Sequence, residues 1–350
     1  MKRWLKILGM AGAVLFLVLT VVNASWLAPE PKGAAKIIAH RGIYQQYDKT
    51  GLGRDDCTAT RIEQPVHDYL ENTTRSIART AKLGATLVEV DIAPTSDGEM
   101  AVFHDWTVDC RTEASGDTRY FTLAELKALD AGYGYTADGG ETFPFRGEGV
   151  GAIPSLEEAM QASGRAQLLY NFKSRDPAEA DLLAAKMNAA DRDTGPRGDA
   201  FYGAQAPVDR IRTHFPDAWA FSLEEGEQCS RDYLLLGWSG YVPDSCRNGT
   251  AFVPLDYQWA FWGWPNRMIA RMESVGARIV VLGPQGEGRP RGLDLPEQLG
   301  EIPASFNGYV MVDDSLAVIP ALIQRFDDRT PEEFERLQAG LDRRRARRGD

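Results

Sequence analysis

The fold class the sequence predicts is α/β, closed as an eight-stranded (β/α)8 barrel. Short apolar, β-branched runs alternate with helical-looking segments along most of the chain, and that alternation builds a parallel sheet. Eight such runs stand out, the number at which a parallel sheet closes on itself. The 350 residues, 43% apolar and 25% charged, leave room for one barrel with decorations, since such a unit needs about 250 residues. A doubly wound open sheet is the alternative, but G-x-G-x-x-G, G-x-x-x-x-G-K and G-x-S-x-G are all absent from the chain, so its usual phosphate and nucleophile turns are missing.

The elements are read in chain order. Residues 1–29 carry Lys2, Arg3 and Lys6 and no acid, and Ile7 to Val22 is uncharged. A basic start followed by an apolar run is an export leader. It is either a cleaved signal peptide, with Val22-Asn23-Ala24 as an acceptable cleavage site, or an uncleaved transmembrane anchor. In both cases the remainder leaves the cytoplasm, membrane-anchored and facing the periplasm or exterior, or periplasmic or secreted. Residues 30–330 form the barrel. Its expected strands are Lys36–Ala39, Thr86–Ile92, Met100–Phe103, Gln167–Phe172, Ala218–Leu223, Ala251–Leu255, Ala277–Leu282 and Tyr309–Val312. Helical segments are expected at Thr74–Leu83, Leu123–Leu129, Leu156–Ala162, Pro177–Ala190 and Asn266–Val275. Two long strandless stretches, Tyr44–Tyr69 after the first strand and Ala131–Ile153 after the third, are expected at the rim, because loops this long inside a domain usually serve function. Residues 331–350 are a charged tail whose Arg343–Arg348 run reads as a solvated helix end.

Net charge is −11, from 39 Lys plus Arg against 50 Asp plus Glu, which argues against a general nucleic-acid binder. Cys57, Cys110, Cys229 and Cys246 form no C-x-x-C spacing. In an exported chain an even count suggests disulfides. The local pairing, Cys57–Cys110 with Cys229–Cys246, is preferred, and four free thiols are the alternative.

Chemistry gathers at the strand ends. The first strand ends in Ala39-His40-Arg41-Gly42, the second carries Glu89 and Asp91, the third ends in Phe103-His104-Asp105, and the fourth carries Asn171 and Lys173. Residues two apart share a face of a strand. Leu87, Glu89 and Asp91 therefore face the interior, and Val88, Val90 and Ile92 face the helices. Asn171 and Lys173 likewise share one side. Charged groups inside a barrel are costly unless they are paired or bind an ion, and barrel enzymes keep their sites at the C-terminal strand ends. Glu89, Asp91 and the amide oxygen of Asn171 offer hard ligands for Ca²⁺ or Mg²⁺. Arg41 and Lys173 suit a phosphate. His40 and His104 titrate near neutrality, as a general acid and base require.

At these residues the sequence resembles the glycerophosphodiester phosphodiesterase family. The matching pieces are A-H-R-G at 39–42, E-N-T at 71–73, V-E-V-D-I-A-P-T-S-D-G at 88–98, V-F-H-D at 102–105, L-A-E-L-K-A-L-D-A-G at 123–132, I-P-S-L-E-E at 153–158 and Y-N-F-K at 170–173, with a weaker G-Y-V-M-V-D-D at 308–314. The resemblance implies a TIM barrel that hydrolyses glycerophosphodiesters to sn-glycerol 3-phosphate and an alcohol. It implies His40 and His104 as the acid/base pair, Arg41 and Lys173 on phosphate, and Glu89 and Asp91 on a divalent ion. Glu71 would lie near the metal or a substrate hydroxyl. The chain departs from the family where a glutamate commonly stands two residues before the lysine; Asn171 occupies that place and removes one negative charge from the ion's shell. A small-molecule phosphodiester is the expected partner, with no protein partner evident and a membrane contact only through an uncleaved leader. A phospholipase D-like activity on lysophospholipids is the alternative at the same site, and a non-catalytic headgroup-binding barrel is a more distant one. The aromatic stretch Tyr257–Trp264 is either rim surface for such a lipid or barrel-top packing. Asn72 and Asn248 head N-x-T sequons.

Overall fold

β-Branched and aromatic runs become the staves of one curled sheet in the computed structural model, which describes residues 2–53, 56–285 and 292–348. The staves are β1 (Lys36–Ala39), β2 (Leu87–Pro94), β4 (Gln167–Phe172), β5 (Ala200–Gly203), β6 (Trp219–Ser222), β7 (Thr250–Pro254), β8 (Arg278–Leu282) and β9 (Tyr309–Val312). Their pairing order is β6-β5-β4-β2-β1-β9-β8-β7, all parallel. First and last staves pair in register from Lys36↔Tyr309 to Ala39↔Val312. The barrel is thus nearly closed, with one seam between β6 and β7.

The set of eight differs from the expected one. Met100–Phe103 is not a stave: β3 (Met100–Val102) folds back antiparallel on the end of β2, pairing Ile92↔Val102 and Pro94↔Met100. The hairpin signal is Asp97-Gly98, with Gly98 at φ 76°, a turn conformation that glycine adopts without steric cost. The missing stave is β5, four residues Ala-Phe-Tyr-Gly, whose two strand-favouring aromatics stand between an alanine and a glycine, both depleted in strands.

Outer helices α2 (Thr74–Leu83), α4 (Leu156–Ala162), α5 (Ala178–Ala189), α6 (Gln205–His214), α7 (Leu223–Leu236), α8 (Asn266–Ser274) and α9 (Ser315–Leu322) follow the staves, with α3 (Leu123–Ala128) after the hairpin. Side-chain parity holds. Val88, Val90, Ile92, Tyr170 and Phe172 join the sheet–helix core, whereas Leu87 and Leu169 join the inner cluster with Ile38, Tyr202 and Phe221. The two long rim stretches share their own apolar cluster, Tyr44, Tyr47, Ile62, Tyr135 and Phe145. The disulfide Cys57–Cys110 ties the first of them to the segment after β3, and Cys229–Cys246 is the second bridge, as preferred from the sequence.

Two terminal helices complete the chain. α1 (Lys2–Asn23) is long and apolar enough to cross a membrane by length and composition, with its apolar side chains exposed. Its foot touches the body: the Asn23 amide donates to Trp238 O at 2.8 Å, and Arg271 donates to Val22 O at 3.0 Å. α10 (Pro331–Arg348) is not a solvated end. Leu337, Leu341 and Arg344 are buried along one face. Arg344 donates to Asp314 and pairs with Glu63 at 3.3 Å, which clamps the helix across the loops after β9 and β1.

Removing one member of a buried ion pair strands the other charge and costs about 3–5 kcal/mol, against about 0–1 kcal/mol for an exposed pair. Urea denaturation is therefore expected to show Arg344→Ala losing roughly 3 kcal/mol and the half-exposed Arg347→Ala under about 1 kcal/mol. Equal losses would mean that α10 does not dock through Arg344.

Candidate active site

The turn after β1 sets the first half of the site. Arg41 and Gly42 adopt φ 54° and 73°, a left-handed region that costs a non-glycine residue energy and concentrates at functional sites. A Cβ on Gly42 would lie 2.4 Å from Ser76 Oγ. That hydroxyl instead accepts from Ile43 N at 2.6 Å and so locks the turn onto α2. The turn directs Arg41 inward. Its backbone N–H donates to Glu89 Oε2 at 2.8 Å, while its guanidinium reaches Glu71 Oε1 at 3.2 Å and Asp91 Oδ2 at 3.4 Å. Burial works against the Arg41 charge, but Glu71 and Asp91 outweigh it and hold the group firmly protonated.

β2 supplies the two acids, both fully buried. Strand register sets Asp91 beside Asn171, whose amide donates to Asp91 Oδ1 at 2.8 Å. Asn72 clasps Asp91 from the other side, donating to Oδ2 at 3.0 Å and accepting from Asp91 N at 3.2 Å. Burial pushes the Asp91 carboxyl up, but His104, Arg41 and Lys173 overcome this and hold it well below the usual range. Burial and the neighbouring Asp91 charge push the Glu89 carboxyl up, and Tyr202 donates to Glu89 Oε1 at 2.7 Å.

Each histidine has a carboxylate behind it. His40 Nδ1 lies 3.0 Å from Asp313 Oδ1, and Asp313 Oδ2 meets Lys49 Nζ at 2.7 Å. His104 Nδ1 lies 2.5 Å from Asp105 Oδ1, and Asp105 Oδ2 meets Arg111 Nε at 2.8 Å. A carboxylate at Nδ1 fixes that nitrogen as the donor and leaves Nε2 as the acceptor. Lys173 Nζ stands 2.8 Å from His104 Nε2. Burial first, and then the Arg41 charge, lower the His104 pKa. Burial, assisted by Arg41, also lowers that of Lys173.

All eight residues singled out from the sequence therefore meet at one barrel mouth: His40, Arg41, Glu71, Glu89, Asp91, His104, Asn171 and Lys173. Glu71 is not a plain helix-start residue, for Thr73 is the cap of α2 and Glu71 holds Arg41 and, at 3.2 Å, Arg111. Asn72 is buried with both ends of its amide used, which leaves it no room for a glycan. Sequence reading passed over Asp105, Asp313, Asn72, Arg111, Lys49 and Tyr202. Asp105 and Asp313 carried the same strand-end signal as the acids that were singled out; Lys49 and Arg111 lie in long loops and carried none.

The donor set fits a hard divalent ion through chemistry. Glu89 and Asp91 share a face, and their mutual repulsion is what a cation relieves. Among the described residues no three His, Cys, Asp or Glu side chains group to hold a metal; beside Glu89 and Asp91 stands the neutral amide of Asn171, which adds no negative charge to the set.

Fold and site together define a TIM-barrel chain whose polar centre, two carboxylate-backed histidines among buried acids and cations, lies at the C-terminal mouth. Residues 40–196 match the family profile described as the glycerophosphoryl diester phosphodiesterase family. A glycerophosphodiester phosphodiesterase of Caldanaerobacter subterraneus subsp. tengcongensis is 40% identical over 103 residues, 29% of this chain and 39% of that protein. Glycerophosphodiester phosphodiesterase 1 of Mus musculus is 34% identical over 134 residues, 38% of each chain. The match thus spans about two-fifths of these curated relatives. The glycerophosphoryl diester phosphodiesterase domain of a Mycobacterium tuberculosis protein superposes with TM-score 0.57 at 16% identity, over 83% of this chain and 99% of that one. An Oleispira antarctica phosphodiesterase solved with its product sn-glycerol-3-phosphate gives TM-score 0.51 at 17% identity, over 85% and 98%. Both structures share the fold. The family profile thus covers residues 40–196, a little under half of the chain.

The environment of His104 can be read directly. In an NMR titration its imidazole is expected to titrate below 6.5, to rise in Lys173→Met as a nearby positive charge disappears, and to fall in Asp105→Asn as a negative one does. The opposite order would show that Lys173 and Asp105 do not flank it.

Proposed function

We propose that this protein is a phosphoric diester hydrolase that converts glycerophosphodiesters to sn-glycerol 3-phosphate and an alcohol. The observation that carries the reading is the pair of carboxylate-backed histidines, His40 with Asp313 and His104 with Asp105, in one barrel mouth with Arg41 and Lys173. Arg41 and Lys173 bind the phosphate oxygens. Glu71 and Asp91 keep Arg41 aimed at the mouth, where a rigid, desolvated cation is worth most against charge that shifts during the displacement. Water's oxygen forms a bond to phosphorus as the bond from phosphorus to the alcohol oxygen breaks. One histidine takes the proton from the attacking oxygen and the other returns a proton to the leaving alcohol, so charge and atoms balance. Asp313 and Asp105 hold the two imidazoles in the required tautomer. Glu89, Asp91 and Asn171 would hold a Ca²⁺ or Mg²⁺ ion, which supplies Lewis-acid polarisation of a phosphoryl oxygen. The exposed apolar α1 and the two disulfides support an exported chain, with α1 as signal or anchor.

Losing a positioned acid or base costs roughly 10²–10⁴-fold, so His40→Ala and His104→Ala are each expected to lower kcat for glycerophosphocholine by that factor; a variant with full kcat removes its histidine from the mechanism. Chelation with EDTA is expected to abolish turnover and added Ca²⁺ or Mg²⁺ to restore it. Calorimetry is expected to show tighter ion binding in Asn171→Glu, which returns a third negative charge to the set; unchanged affinity would place the ion away from Asn171.

A further inference from the structure

One guanidinium lies beneath both halves of the mouth without touching either phosphate-binding cation. Arg111 is buried, and each of its nitrogens has a partner. Nε lies 2.8 Å from Asp105 Oδ2, and Nη1 donates to Tyr135 Oη at 2.7 Å. Nη2 donates to Thr58 Oγ1 at 2.9 Å and lies 3.2 Å from Glu71 Oε1. Asp105 backs His104, and Glu71 backs Arg41. Burial works against the Arg111 charge, but Asp105 and Glu71 outweigh it and hold the group firmly protonated. Only a planar fork serves two carboxylates and two hydroxyls at once; the point charge of a lysine does not.

A covalent link sets the place of this group. Cys110 precedes Arg111 and Cys57 precedes Thr58, so the bridge between the cysteines staples the backbone of Arg111 to the residue whose hydroxyl it grips. The second rim stretch spans both sides of the staple: Gly134 N donates to Arg111 O at 3.2 Å, and Thr136 N donates to Ala59 O at 3.0 Å. Gly134 permits that approach, since a Cβ there would lie 2.0 Å from Cys110 O. The two bridges differ in access. Cys229 and Cys246 are fully buried, whereas Cys57 and Cys110 are half-buried. Thiol–disulfide exchange requires that an attacking thiolate reach a sulfur, so the bridge beside Arg111 is the one a reductant meets first.

We propose that Arg111 is a positioning residue shared by His104 and Arg41, and that the Cys57–Cys110 bridge keeps it in place, so that opening this one bridge lowers turnover. The co-reactant is a dithiol. One of its thiolates attacks a bridge sulfur to give a mixed disulfide, and its second thiolate then releases the protein sulfur. Two electrons and two protons pass to the cysteines, and the dithiol leaves as a disulfide. Arg111 keeps its charge but loses its fixed place, and with it Asp105 and Glu71 lose the partner that aims them. The inference rests on the phosphodiesterase reading for the reaction that is slowed; the placement of Arg111 does not.

The full chain in detergent micelles, equilibrated in dithiothreitol redox buffers, tests the proposal, with free thiols alkylated and assigned by mass spectrometry. Cys57 and Cys110 are expected to open while Cys229–Cys246 stays closed; should the bridges open together, Cys57→Ser/Cys110→Ser supplies the open state. Over that range kcat for glycerophosphocholine is expected to fall roughly tenfold, part of the roughly 10²–10⁴-fold that a positioned acid or base supplies, and to return on reoxidation. In Arg111→Gln, or in Arg111→Lys should that variant not fold, reduction is expected to change the already low kcat by less than about twofold, because the bridge no longer has a fork to place. A bridge that merely stiffens the fold would lower wild type and variant alike; that result overturns the proposal, as does full kcat in the reduced chain. Hydrogen exchange gives an arm independent of turnover. The amides of Gly134 and Thr136 are expected to exchange roughly tenfold faster on reduction, whether or not the oxidised chain hydrolyses a glycerophosphodiester. Unchanged exchange overturns the proposal, and so does loss of the whole fold on reduction, seen by circular dichroism.

Discussion

The carboxylate of Asp91 is the constraint from which the rest of the site follows. It points into the barrel with no access to water, and an ionised carboxylate in that position costs several kcal/mol unless partners replace its hydration. They come from three parts of the chain: Asn72 before α2, Arg41 after β1, and Asn171 and Lys173 at the end of β4. Meeting that demand brings together groups scattered over more than a hundred residues. It also accounts for Asn72 and Arg41 both adopting left-handed φ values. The backbone accepts the strain because the alternative is an unsatisfied buried charge.

Outward from Asp91, acids and bases alternate in two chains. One runs from Glu71 through Arg111 and Asp105 to His104, and the other from Lys49 through Asp313 to His40. In each, a cation from a long loop positions a carboxylate, which positions an imidazole. The loop after β1 and the connection after β3 thus form a second layer beneath the histidines. Cys110 adjoins Arg111, and its bridge to Cys57 fixes the loops against each other. A bridge closing a loop of that length constrains the unfolded chain by roughly 4 kcal/mol in the entropic account; here it also holds a charge in place.

Legibility in the sequence followed local pattern strength. Parity in Leu87–Asp91 and at Asn171 and Lys173 placed the acids inside and the valines outside, because period two leaves no third option. The strand total of eight came out correctly with one member wrong. A hairpin arm, Met100–Val102, resembles a stave in composition, whereas the real stave Ala200–Gly203 is too short and too unbranched to register. Partners reached through tertiary folding, such as Lys49, Arg111 and Tyr202, leave no periodic trace. Arg344 is the same case: its neighbours in sequence are solvated arginines, and only the docking of α10 separates it from them.

The seam and the charged cluster occupy opposite sides of one mouth for a physical reason. Between β2 and β4 the ladder is continuous over six residue pairs, and that rigidity is what holds Asp91 against Asn171 within hydrogen-bond distance. Between β6 and β7 the inward side chains are Trp219, Phe221 and Phe252, with ring centroids of Phe221 and Phe252 6.0 Å apart. Rings of that size crowd the interior and are accommodated where the sheet opens. The lost ladder bonds are partly recovered by Ser230, whose hydroxyl serves both backbone groups of Phe252. A barrel that confines its charge to the tightly laddered half can leave the other half open and apolar without exposing a single buried carboxylate to water. The same asymmetry leaves His40 on the boundary, with Asp313 on its polar flank and the open seam on the other.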